Sequence, residues 1–137
     1  EYCCEDANYV LVVLGSVAGV ARTVVDELRK QGEKVGVIRV RSLRPFPNEY
    51  FASLKNRFKA LGVLDRNLSF GNQGGVYTEA KAALFTPGNM IQTLNFIAGL
   101  GGRDITKANI AEMFSKLKAV SQGEAENELQ FIGLRWS

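Results

Sequence analysis

Tyr9-Val10-Leu11-Val12-Val13-Leu14-Gly15-Ser16-Val17-Ala18-Gly19-Val20-Ala21 joins two patterns of different period. Its first six residues form a continuous β-branched and aliphatic run, the pattern of a strand covered on both faces, which marks a parallel, central strand. Gly15-Ser16 turns the chain, and Ser16 is placed to cap a helix. Val17, Val20, Ala21, Val24, Val25 and Leu28 then recur on one helical face. Arg29 and Lys30 suit the negative end of that helix, and Gly32 stops it. From Lys34 to Arg41 the valines and Ile38 return to strand pattern, so the economical topology is strand, helix, strand with a right-handed crossover.

The same alternation continues along the chain. Arg44-Pro45-Phe46-Pro47 blocks a helix, because each proline forces its predecessor towards extended geometry. Asn48 can cap a short helix carrying Tyr50, Phe51, Leu54 and Phe58, and Ala60 to Leu64 supplies a third strand. Val76 to Phe85 reads as an alanine-rich helix ended by Thr86-Pro87-Gly88-Asn89, and Ile91 to Ala98 as a fourth strand. Thr106 is a good N-cap for a helix with Ile110, Met113, Phe114 and Leu117 on one stripe. Ser121 to Glu128 is polar. The end, Leu129 to Ser137, is apolar enough that it should dock on this domain or on a partner. The expected organisation is an amino-terminal arm at 1–8, an α/β domain at 9–120 and a tail at 121–137, with the domain doubly wound in three layers.

At 137 residues and 46% hydrophobic content, one domain with one core is expected. The net charge of +3 comes from 17 basic residues scattered among 14 acidic ones, too weak a surplus to argue for nucleic acid. No apolar run reaches the ~20 residues that span a bilayer. The chain starts Glu1-Tyr2, as a processed protein or a piece of a longer one would. Its two cysteines, Cys3 and Cys4, are adjacent and cannot staple a fold, and a reduced intracellular protein fits them best. With no histidine, four-ligand zinc sites and Ser-His or Cys-His nucleophile pairs are excluded, as is a cubane cluster ligated wholly by this chain.

Two glycine-rich stretches leave the carboxyl ends of strands: Leu64-Asp65-Arg66-Asn67-Leu68-Ser69-Phe70-Gly71-Asn72-Gln73-Gly74-Gly75, and Gly99-Leu100-Gly101-Gly102-Arg103-Asp104. In open α/β sheets that edge gathers ligands and partners. Asp65 and Arg66 either pair locally around a glycine-eased turn or face a partner. Gly15 to Gly19 lacks the spacing of a dinucleotide or P-loop motif, although a helix amino terminus can hold an anion. Arg39 and Arg41 should fall on one side of their strand near its exposed end, with Arg44 beyond, as a solvated basic edge. Asp65 and Glu79 are the only acidic residues near the first exit, and nothing pairs them for acid-base work.

Val12-Val13-Leu14-Gly15-Ser16, Arg44-Pro45-Phe46-Pro47, Val63-Leu64-Asp65-Arg66-Asn67, Gly74-Gly75 and above all Asn95-Phe96-Ile97-Ala98-Gly99-Leu100-Gly101-Gly102-Arg103-Asp104-Ile105-Thr106 occur in one order. With the closing Phe131-Ile132-Gly133-Leu134-Arg135, they resemble the carboxyl-terminal domain of the alpha subunit of pyruvate:ferredoxin oxidoreductase over residues 5 to 136. The resemblance implies a domain like the transketolase carboxyl-terminal domain, an α/β/α sandwich on a mainly parallel five-stranded sheet. Four strands are evident, so a fifth, antiparallel one would come from the arm or the tail. The implied enzyme converts pyruvate, coenzyme A and oxidised ferredoxin to acetyl-CoA, carbon dioxide and reduced ferredoxin in the cytoplasm. It uses thiamine diphosphate with magnesium and iron-sulfur clusters held by other domains and subunits.

No catalytic, cofactor-binding or metal-binding residue is assigned to this chain. The expected role is a structural and interface domain, with Asp65, Arg66, Asn67, Arg103 and Asp104 as interface candidates. The alternatives are a domain of a 2-oxoglutarate or branched-chain oxoacid ferredoxin oxidoreductase, and a free-standing phosphate- or nucleotide-binding α/β domain.

Overall fold

The computed structural model describes residues 1–15, 17–41, 47–65, 75–84, 87–99, 104–123 and 128–132. Strands β1 (Tyr9–Leu14), β2 (Val35–Val40), β3 (Ala60–Asp65) and β4 (Gln92–Ile97) alternate with helices α1 (Val17–Lys30), α2 (Asn48–Ala52), α3 (Gly75–Leu84) and α4 (Lys107–Ser121), and β5 (Leu129–Phe131) follows. The sheet order is β2-β1-β3-β4-β5, with every neighbouring pair parallel. The apolar run at Tyr9–Leu14 thus sits inside the sheet, where both faces are covered.

One face carries α1 and α4 and the other α2 and α3. Period-two geometry divides the strands between these layers: Leu11, Val13, Val37, Leu94 and Phe96 pack in the first core, and Val10, Val12, Ile38, Leu61 and Val63 in the second. Helix α1 buries Val17, Ala21, Val24 and Val25, the stripe expected from spacing. Helix α4 starts as its sequence signals: Thr106 Oγ1 accepts from Asn109 N at 3.1 Å and Asn109 Oδ1 accepts from Thr106 N at 3.0 Å. Ser16, Phe85 and most of the residues around the first two prolines, 42–46, lie outside the described residues.

Two expectations are corrected. The fifth strand comes from the tail and is parallel, not antiparallel: Asn95, Phe96 and Ile97 stand opposite Leu129, Gln130 and Phe131. The arm supplies an isolated antiparallel bridge instead, with Tyr2 N donating to Val37 O at 2.8 Å and Val37 N to Tyr2 O at 3.0 Å. Cys4 in the arm is buried, with its thiol donating to Val37 O at 3.4 Å. Gly36 makes room for it: a Cβ there would meet Cys4 Sγ at 2.9 Å and the carbonyls of Cys3 and Tyr2 at 3.0 Å.

The second correction concerns α2, which begins at Asn48 rather than being capped by it and ends at Ala52. Leu54 and Phe58 keep the buried positions that their spacing suggested, but from irregular chain beyond Ala52, in which Asn56 takes φ 59°.

The tail connection is unusual in hand. β1 to β2 runs one way across the sheet over the α1 face, and β2 to β3 and β3 to β4 run the other way over the opposite face, so all three share a hand. β4 to β5 runs the second way with α4 on the α1 face, which reverses it. Because a packed crossover strongly favours one hand, β5 is better regarded as a tail laid on the β4 edge.

Candidate interface site at the strand carboxyl ends

In the order β2-β1-β3-β4-β5 the chain leaves β1 and β3 in opposite directions, so the crevice of a doubly wound sheet falls at their carboxyl ends. Asp65 ends β3 there, and Gly99 follows the adjacent β4. The carboxyl ends of β3 and β4, from which the two exits leave, lie side by side, tied by Ala98 N donating to Asp65 O at 3.1 Å.

Asp65 is buried, and its carboxylate is engaged inside the chain. Oδ1 accepts from Val76 N at 3.0 Å, and Oδ2 accepts from Tyr77 N at 3.1 Å and from Asn95 Nδ2 at 3.0 Å. Two of those donors are first-turn amides of α3, which have no partner within the helix. The third belongs to a fully buried asparagine on β4 whose amide also donates to Val63 O at 3.2 Å. One carboxylate therefore joins β3, α3 and β4, and its charge faces the positive end of a helix. Burial pushes the Asp65 carboxyl above the usual aspartate value, while the N–H groups of Val76 and Tyr77 and the Asn95 amide pull it down.

Of the other interface candidates, Asp104 is exposed, two residues before the cap of α4. Arg66, Asn67 and Arg103 lie outside the described residues. Glu79 is exposed on α3, whereas Asp65 is buried, so the two do not share an environment. Arg39 and Arg41 are exposed, as expected of a solvated end of β2.

A second polar group, which spacing did not reveal, holds the tail. The Tyr77 hydroxyl lies 2.9 Å from Thr93 Oγ1 and donates to Glu128 Oε2, which also accepts from Lys81 Nζ. Asn95 N donates to Glu128 O at 2.7 Å, and Ile132 N to Ile97 O at 2.9 Å beyond β5. Burial works to raise the Glu128 pKa, but Lys81 and Tyr77 together outweigh it and hold the carboxyl below its usual 4.5. A lowered carboxyl pKa contributes stability that is present above 4.5 and lost as pH falls through the folded value. Exchange of the β5 amides is therefore expected to accelerate below pH 4.5 in the wild type relative to Glu128→Gln. An identical pH profile for the two would show that this carboxylate does not hold the tail. The signal for this group in the sequence was the polar Thr93 in a largely apolar β4.

The donor set does not suit an iron-sulfur cluster. Cys3 is exposed and Cys4 turns its thiol onto a backbone carbonyl in the core, so the pair presents no common face to a metal. No helix among the described residues is long and apolar enough to cross a membrane.

The fold and this edge define a doubly wound α/β domain whose conspicuous charged group at the crevice is spent on internal order. Residues 7–110 match the family described as pyruvate:ferredoxin oxidoreductase core domain II. The chain is 39% identical over 137 residues to the pyruvate synthase subunit PorA of Pyrococcus furiosus, covering 99% of this chain and 35% of the relative. It is 42% identical over 135 residues to PorA of Methanothermobacter thermautotrophicus (98% and 33% covered), and 40% over 132 residues to the ketoisovalerate oxidoreductase subunit VorA of Pyrococcus abyssi (96% and 33%). The chain belongs to the pyruvate:ferredoxin oxidoreductase core domain II family, and it spans about a third of the length of these curated relatives.

Proposed function

We propose that this chain is the structural and interface domain of the alpha subunit of a cytoplasmic 2-oxoacid:ferredoxin oxidoreductase, with pyruvate as the 2-oxoacid. The complex would convert pyruvate, coenzyme A and oxidised ferredoxin to acetyl-CoA, carbon dioxide and reduced ferredoxin. The observation that carries this reading is the similarity over nearly the whole chain to subunits named for pyruvate synthase. The internal use of Asp65 and the disposition of the two cysteines support a domain that positions others rather than one that performs chemistry. Thiamine diphosphate, magnesium and the iron-sulfur clusters would then belong to other domains and subunits, and no step is assigned to residues here. Asp104, with Arg66, Asn67 and Arg103, remains the proposed contact surface at the carboxyl edge, where Asp65 supplies the rigid base.

The relatives named for ketoisovalerate oxidoreductase, at 40% identity, keep a branched-chain oxoacid as the second reading. The test is to isolate the intact subunit with its copurifying partners and measure ferredoxin reduction with pyruvate, 2-oxoglutarate and 2-oxoisovalerate. Pyruvate is expected to be turned over fastest. Fastest turnover of 2-oxoisovalerate would transfer the assignment to the second reading, and inactivity of a cofactor-replete complex on all three would remove both.

A further inference from the structure

Between α1 and α4, at the amino-terminal end of β1, lies a cavity of about 190 Å³. Leu28 of α1, Val35 of β2 and Phe114 of α4 give it apolar walls. Its shape is held by bonds that do not cross it: Glu33 N donates to Leu28 O at 3.0 Å, and Arg29 Nε donates to Val35 O at 2.8 Å. At the rim Lys118 Nζ donates to Glu33 Oε1 at 2.7 Å and so joins α4 to the chain that follows α1. Glu33 holds the Lys118 ammonium above the usual lysine value, and the Tyr9 phenol adds a smaller effect in the same direction, which sets that phenol close to the ion pair.

Tyr9 supplies what the apolar walls lack. It is only 7% exposed, and its hydroxyl has no hydrogen-bond partner among the described residues. Buried hydroxyls are as a rule bonded, because an unmade bond leaves the cost of desolvation uncompensated. Tyr9 borders this cavity, so a partner for its O–H has to come from there.

We propose that the cavity is a binding site for a small uncharged molecule, with an apolar body the size of one ring and an oxygen that accepts from the Tyr9 hydroxyl. A dry cavity of about 150 Å³ takes benzene, so the volume here fits a substituted six-membered ring. Apolar walls with one placed polar group are the usual make-up of a small-molecule site. Glu33 and Lys118 satisfy each other at the rim and present no net charge that would favour an ion. Tyr9 begins β1 whereas Asp65 ends the parallel β3, so this site and the carboxyl-edge contact surface lie at opposite ends of the sheet.

Calorimetric titration of the intact complex with phenol tests the proposal, and toluene is the matched probe without the accepting oxygen. Phenol is expected to bind at millimolar concentration or below, with one site per copy of this chain. Tyr9→Phe should weaken phenol about fivefold and leave toluene unchanged. Ser115 lines the cavity and is exposed, so Ser115→Trp should obstruct the opening and abolish binding of both probes without lowering the thermal midpoint. The proposal is overturned if phenol does not bind at millimolar concentration, if binding survives Ser115→Trp, or if Tyr9→Phe leaves phenol unchanged or weakens both probes equally. Each of those results leaves the proposed function standing, because none of them bears on 2-oxoacid turnover.

Discussion

Replacing Asp65 by asparagine is expected to lower the unfolding free energy of the domain by about 2–3 kcal/mol. The carboxylate accepts from three N–H groups and donates to none. A carboxamide has one accepting oxygen, and its NH2 must face at least one of those donors. A buried N–H is then left unpaired, at a cost of about 1–3 kcal/mol, and favourable charge at the amino end of α3 is lost as well. Urea unfolding of wild type and Asp65→Asn supplies the number, and amide exchange supplies the location. Val76 and Tyr77 should exchange faster in the variant while Val12 in the central strand changes only with global stability. An unchanged midpoint would mean that the clamp contributes nothing net and would return Asp65 to the surface-contact role assigned to it from sequence.

The second large effect is expected at Gly62. This residue lies in the middle of β3, a position where substitution by alanine would ordinarily improve a strand. An added Cβ, however, would stand 2.5 Å from Phe96 Cε2, 3.1 Å from Phe96 Cδ2 and 3.2 Å from Leu117 Cδ1. Phe96 and Leu117 are fully buried, so neither can swing into solvent. Overpacking of this kind costs about 1–3 kcal/mol, and Gly62→Ala should fall towards the upper end because the obstacle is a fully buried ring. Phe96→Leu, destabilising alone through the cavity that it leaves, should partly rescue Gly62→Ala, since the two changes share one space. Strict additivity in that double-mutant cycle would exclude the contact as the cause.

These two sites mark where reading the sequence succeeds and where it stops. The strand at Tyr9–Leu14, the helix stripe from Val17 to Val25 and the Thr106 cap were legible because each depends on residues within a few positions of one another. The carboxyl-edge site was legible in outline, as two glycine-rich exits from strands that prove to be neighbours. Its wiring was not. Asp65 meets Tyr77 across 12 residues of chain and Asn95 across 30, and no periodicity reports such partners. Gly62 is a similar case, because its need for glycine is written in a phenylalanine on the next strand.

The tail and the arm show the same division at larger scale. An apolar end at 129–137 was reason to expect docking, yet the direction of its strand β5, the place of that strand beside β4 and its reversed crossover are properties of the assembled sheet. Cys4 in the arm is a small apolar residue that any core could take, and only the cleared space at Gly36 decides that it takes this one. The sequence by itself determined the alternation of strand and helix, the doubly wound class and the family, because local periods, end signals and ordered motifs are carried by adjacent residues. The tertiary structure alone decided that Asp65 faces inward and that the fifth strand runs parallel. Those outcomes depend on which distant groups share a volume, and that is settled only when the layers pack.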